Sequence, residues 1–141
     1  MKGLIRYRDK VSLPDGLIPD YATPGFASYA EVITLLKSWV ASDILLVRLA
    51  VAENAIGSPL ATEHRKALAD RFAAATLRGD RLHQQEEARF ELDIRNDPAR
   101  ALALAVENWR HQREPRDALI LMLAARAAGN AAAAKPALDW M

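Results

Sequence analysis

From Ser28 onward the apolar positions recur with the period of an α-helix, and each run is preceded by a capping residue. Tyr29, Val32, Leu35, Leu36, Trp39 and Val40 follow that period behind Ser28, whose spacing to Glu31 is that of a capping box. Ser42 can cap a second helix carrying Leu45, Leu46, Leu49, Ala50 and Ile56, closed by Gly57. Ser58-Pro59 places a cap and an N1 proline before a longer third helix that reaches about Arg78, ahead of Gly79. Asp80 can cap a fourth, with Leu82, Phe90, Leu92 and Ile94 among its apolar positions. Asp97-Pro98 opens a fifth, running past Trp109 to about Gln112. Glu114-Pro115 opens a sixth, through Leu119, Leu121, Met122 and Leu123 to Gly129. Asn130 begins a seventh helical piece, which Pro136 must kink or delay. The pattern predicts an all-α body of about seven helices without strands, its short connections setting consecutive helices antiparallel.

Residues 1–27 read differently and are expected to form an irregular, proline-rich N-terminal arm. Pro14, Pro19 and Pro24 recur with Gly16 and Gly25 nearby, which prevents a long helix. Ile5, Tyr7 and Val11 hint at a short strand, but the alternation is poor. The arm is read as lying across the helices or as partly disordered; Leu13, Leu17, Ile18, Tyr21 and Phe26 favour docking.

The helices fall into pairs. Three turns separate pair members: Ile56-Gly57-Ser58-Pro59, Arg95-Asn96-Asp97-Pro98 and Ala128-Gly129-Asn130-Ala131. The second and third lie about 34 residues apart, a period that signals stacked helix pairs. The first and second are further apart, so the first pair carries a longer second helix. Around Gly129, Leu121, Met122 and Ala125 occupy first-helix positions, and Ala134 and Leu138 occupy second-helix positions. Around Gly57, Leu46, Leu49 and Ala50 fit equally well. The stretch EEARFELDIRNDPARALALAVENWRHQREPRDA at 86–118 carries Ala88 and Ala101 at crossing positions.

On these residues, residues 28–141 resemble bacterial tetratricopeptide-repeat proteins, with degenerate repeats. The signature tryptophan and tyrosine positions are mostly missing, and Pro115 ends its unit two residues late. The resemblance implies antiparallel helix pairs stacked as a short right-handed solenoid of tetratricopeptide type. Stacking has an independent physical rationale, since each pair exposes an apolar face that only a neighbour can cover.

Composition narrows the chemistry. The 141 residues are 51% hydrophobic and 26% charged, which suits a globular chain. Cysteine is absent, which excludes a disulfide framework, a thiolate metal site and a cysteine nucleophile. The net charge of +1 supplies no global field for nucleic acid. Arg110, Arg113 and Arg116 cluster with His111, yet Glu107, Glu114 and Asp117 balance them, so nucleic-acid binding is not expected. Alanine supplies about a fifth of the chain, as closely crossing helices require. No apolar run approaches the length that spans a bilayer, so no membrane insertion is expected, and no signal peptide is read. A cytoplasmic or a periplasmic setting fits equally. Arginine over lysine and the high alanine give the impression of a GC-rich bacterial genome.

No catalytic constellation emerges, and no catalytic residue, cofactor or metal is assigned. His83 lies near Glu86 and Glu87, and Glu107 pairs with His111 at i,i+4, but a di-iron site would need Glu-x-x-His on two helices. Ser28, Ser42 and Ser58 have capping roles, and neither a nucleophile elbow nor a phosphate loop occurs. Glu86, Glu87, Glu91 and Asp93 interleave with Arg81, Arg89 and Arg95, which reads as a charged solvent face. Trp39, Trp109 and Trp140 are expected in the core rather than as ligand anchors.

The resemblance implies a non-catalytic scaffold that grips a protein or peptide partner in a concave groove lined by first helices. Carried over residue by residue, its outward positions are Arg48 and Asn54 in the first pair. Gln85, Glu86, Arg89 and Asp93 would serve the second, and Arg126 the third. A helical accessory protein or small-ligand-binding bundle is the alternative reading. The sequence stops inside a helix without a polar cap, which leads one to expect a homodimer or a piece of a longer array, with an arm folded over one end as a third arrangement.

Overall fold

The computed structural model describes residues 28–141. Expectations for the arm and its strand fall on residues 1–27 and lie outside the described residues. Among the described residues the chain is all-helical: α1 (Tyr29–Leu36), α2 (Asp43–Ile56), α3 (Ala61–Leu77), α4 (Gln84–Asp93), α5 (Pro98–His111), α6 (Pro115–Ala127), a 3₁₀ turn (Ala131–Ala134) and α7 (Lys135–Trp140). The seven expected helices are present, and α3 is the longest at 17 residues. The chain divides into two compact units, one up to Lys66 and the other Ala67–Met141.

Chain reversals follow a shared rule. Gly57, Gly79 and Gly129 adopt φ of 70°, 69° and 69°, the left-handed region that glycine enters without steric cost. The residue after each glycine donates its amide to the carbonyl five positions back: Ser58 to Glu53, Asp80 to Ala75, Asn130 to Ala125. These bonds satisfy carbonyls that the helix end would leave orphaned. In the turn before α5, Asn96 takes the same role at φ 53°. All three within-pair turns thus reverse on a left-handed residue.

Helix starts agree with the sequence at five places and move at two. Ser28 accepts the Glu31 amide, Ser42 that of Leu45, Asp97 that of Arg100 and Asn130 that of Ala133. Glu114 and Asp117 close a capping box at the start of α6. Ser58 and Asp80, however, accept amides only two residues on, from Leu60 at 3.3 Å and Leu82 at 2.9 Å. That geometry closes a tight side-chain turn instead of capping a helix. Helices α3 and α4 therefore begin at Ala61 and Gln84, later than the caps suggested. Pro136 delays the last α-helix as expected, leaving a 3₁₀ turn over the four preceding alanines.

In the first unit α1 packs on α2, with Val32 and Ala52 buried and Tyr29, Ile33, Leu36 and Val51 around them. Helix α1 stops at Leu36, short of the expected Val40. Turn bonds from Trp39 to the Leu36 carbonyl and from Ser42 to the Trp39 carbonyl follow. They carry Trp39 out of the helix, and its side chain is 56% exposed. The expected core position of Trp39 is thereby corrected.

The second unit is built on alanine. Helix α4 packs on both α5 and α6, α5 on α6, and α6 on the 3₁₀ turn and α7. Its core joins Ala88, Ala101, Ala105, Trp109, Ala118, Ile120, Leu121, Ala124 and Ala137, with Leu92, Leu102, Leu104, Val106 and Met122 at the margin. Small side chains let helix axes approach closely, and each backbone fills space that a larger residue would need. The crossing alanines Ala50, Ala101, Ala125 and Ala134 are all buried. Trp109 caps the cluster, with Trp140 edge-on at 5.5 Å between ring centroids. Trp140 itself is 45% exposed, so only Trp109 fulfils the core expectation. Phe72 of α3 stacks obliquely on Phe90 of α4 at 5.4 Å.

Candidate functional site

Of the seven residues expected to line a groove, the structure exposes only two. Asn54 and Arg126 face solvent, one in each unit, and Arg48 is half-buried. Gln85 is half-buried and donates its amide to Asp117 at 2.6 Å. Glu86 and Arg89 are buried. Arg89 lies 2.9 Å from the half-buried Asp93 in an i,i+4 ion pair. With Glu86 and Arg89 buried and Gln85 and Asp93 half-buried, none of the four α4 positions is fully open to solvent.

The charged face predicted for α4 is a buried one. Glu87 and Glu91 are almost wholly buried, and both turn toward Arg100 of α5. Arg100 reaches Glu87 at 3.0 Å and Glu91 at 3.5 Å, while Arg95 approaches Glu91 at 3.6 Å. One guanidinium presents donors along a fork, which suits two carboxylates one helical turn apart. Burial raises the Glu87 carboxyl above its ordinary value, and Arg100 offsets only part of that effect. The interleaved charges read as a solvated surface in sequence. Here they are ion pairs joining α4 to the start of α5.

A second polar cluster joins three helices. Asp117 of α6 is 1% exposed and Asn108 of α5 is 2% exposed. Oδ1 of Asp117 accepts from Asn108 at 2.7 Å and from Gln85 at 2.6 Å, while Oδ2 accepts the Glu114 amide at 2.9 Å. Three donors satisfy one carboxylate, so its burial beside alanine is tolerated. Every member is engaged within the fold. The cluster therefore positions α4, α5 and α6.

The first unit carries a comparable pair. His64 Nδ1 stands 2.6 Å from Glu53 Oε1, with the glutamate 1% exposed. Glu53 lies near the end of α2 and His64 near the start of α3, so the pair bridges the Gly57 reversal. The signal was present in sequence: Glu53 occupies the buried face of a helix, seven residues after Leu46 and four after Leu49. A carboxylate in that position requires a buried partner.

On the exposed side of the second unit, Glu107 gathers three basic groups. Arg81 and Arg110 reach it at 3.0 and 3.1 Å, and His111 at 3.2 Å. The hydrogen bond from His111, aided by both arginines, holds the Glu107 carboxyl below the usual carboxylate range. Arg113 lies over the Trp109 ring at 5.8 Å and donates to the Trp109 carbonyl at 3.2 Å. His83 stands 3.9 Å from Glu86, a loose i,i+3 approach. Among the described residues no group of three or more His, Asp or Glu side chains could hold a metal ion. No helix there is long and apolar enough to cross a membrane.

Comparison with family models, with curated proteins and with solved structures finds no match to this chain.

Proposed function

We propose that the chain is a non-catalytic helical scaffold of degenerate tetratricopeptide type that binds a protein or peptide partner. The observation that carries this reading is the double packing of α4, on its own partner α5 and on α6, the first helix of the following pair. That adjacency is the one by which helix-pair repeats build a continuous face. The buried alanines at the crossings suit it, as do the left-handed residues that close each pair.

The polar residues support a scaffold in a second way. The buried carboxylates are satisfied by partners within the fold, which gives each a structural task. Of the groove positions expected in the second unit, the exposed one is Arg126 in the last turn of α6, able to grip a carboxylate with two parallel hydrogen bonds. Arg126 suits a partner segment that is acidic or ends in a free carboxylate. Affinity capture with wild-type and Arg126→Glu baits tests the reading. The expected result is a binding protein retained by wild type and lost from the variant, with both baits melting at the same temperature. Identical capture by both baits would remove Arg126 from the interface.

A further inference from the structure

His111 stands where two incompatible hydrogen bonds meet. Its Nε2 lies 3.2 Å from Glu107 Oε1 and 3.3 Å from Arg81 Nη1. The guanidinium can only donate and the carboxylate can only accept. A ring nitrogen carrying a lone pair accepts from Arg81 and faces the Glu107 oxygen unfavourably. A ring nitrogen carrying a proton donates to Glu107 and opposes the Arg81 donor. Nε2 can satisfy one neighbour at a time.

The two neighbours belong to different elements. Glu107 and His111 share α5 at i,i+4, whereas Arg81 lies in the connection between α3 and α4. Arg81 also pairs directly with Glu107 at 3.0 Å across 26 residues of sequence. These contacts tie that connection to the last turns of α5. Arg110 occupies the other Glu107 oxygen at 3.1 Å and stays on α5. All four side chains reach solvent, so protons have direct access.

We propose that the Arg81–Glu107–His111 cluster is a pH-sensitive latch, in which protonation of His111 releases Arg81 and loosens the connection preceding α4 from α5. In the neutral state, the Nδ1-protonated ring accepts from Arg81, and Arg81 bridges histidine and glutamate. In the protonated state, the imidazolium takes Glu107 for itself, reinforced by the favourable end of the α5 dipole. Arg81 then meets a positive ring at hydrogen-bond distance and leaves. The depressed carboxyl of Glu107 keeps the acceptor ionised throughout the change. Release frees a guanidinium for a carboxylate elsewhere, so the latch couples acidity to the availability of Arg81.

Two-dimensional NMR of the whole chain tests the latch between about pH 8 and pH 5, where histidine changes charge. The Arg81 Nε–Hε signal is expected to follow the His111 ring midpoint and to lose that response in His111→Gln. Its protection against hydrogen exchange, taken relative to a free arginine side chain at the same pH, should fall about 1.5- to 5-fold on acidification, the range expected when an exposed ion pair is lost. Glu107→Gln should uncouple the two titrations, while the Trp109 indole signal reports that the fold persists in each variant. The proposal is overturned by an Arg81 signal that ignores pH in the wild type, or by one that responds equally in His111→Gln.

Discussion

Asn108 donates to Asp117 at 2.7 Å in a site where both side chains are almost fully buried. That bond crosses from α5 to α6, and the same carboxylate oxygen holds Gln85 of α4. Asp117→Ala removes the acceptor for both amides and also opens the capping box of α6. Buried donors left without a partner cost about 1–3 kcal/mol, and a lost cap about 1 kcal/mol more. Urea unfolding should show a loss of about 2–4 kcal/mol. Asp117→Asn should cost less, since it keeps one acceptor oxygen. Equal losses for the two variants would mean that the carboxylate's charge, and not its acceptor geometry, holds the helices together.

Ala101 is fully buried, whereas Ala134 sits at the edge of the core with 9% exposure. Leucine at position 101 must push α5 away from its neighbours and should cost about 1–3 kcal/mol. Leucine at position 134 can lean toward solvent and should cost less. Thermal melts of Ala101→Leu and Ala134→Leu check the order. A wild-type melt for Ala101→Leu would contradict close helix crossing at that residue.

Glu87 links stability to pH. Its folded-state carboxyl lies above the ordinary value of 4.5 because burial outweighs the attraction of Arg100. A raised carboxyl contributes stability that is fully present below the unfolded value and is lost as pH rises through the folded value. Glu87→Gln stays neutral and keeps that contribution at pH 7. The variant should therefore be at least as stable as wild type at neutral pH, and its advantage should shrink as pH falls through the raised folded value and be gone below 4.5. Denaturant midpoints at pH 7 and near pH 4 give the comparison. A variant less stable at neutral pH by a margin that vanishes in acid would show that Arg100 dominates instead.

The Glu53–His64 pair should behave as a unit. His64→Ala strands a buried carboxylate and should cost about 2–4 kcal/mol. Replacing both partners by apolar residues, as in Glu53→Met with His64→Leu, should recover most of the loss. Equilibrium unfolding of the two single variants and the double variant measures the coupling. Additive losses would contradict the pairing.

The helical body was legible because its information is local: Ser42, Asp97, Asn130, Gly57, Gly129 and Pro136 each act within a few residues. The two misplaced starts, at Ser58 and Asp80, arise because the same side chains can close a two-residue turn or cap a helix. Sequence spacing does not distinguish those outcomes. Trp39 was misassigned because a helical period says nothing about where the helix stops. The largest gap concerned the charges of α4. Glu87 and Glu91 alternate with arginines along the chain, yet their partner is Arg100 on the next helix. Ion pairs between helices depend on the crossing, which no periodicity contains. Groove residues suffered for the same reason, because carrying a pattern onto Glu86 and Arg89 assumed an outward face that these side chains do not have.

Photo-crosslinking tests the scaffold reading most directly. A benzophenone side chain placed at position 126, in the full chain expressed in its source cells, sits on the exposed last turn of α6; a control at position 110 sits on the exposed side of α5. The scaffold account predicts a discrete crosslinked polypeptide from position 126 and none from position 110. No crosslink from position 126, or the same product from both positions, would contradict it.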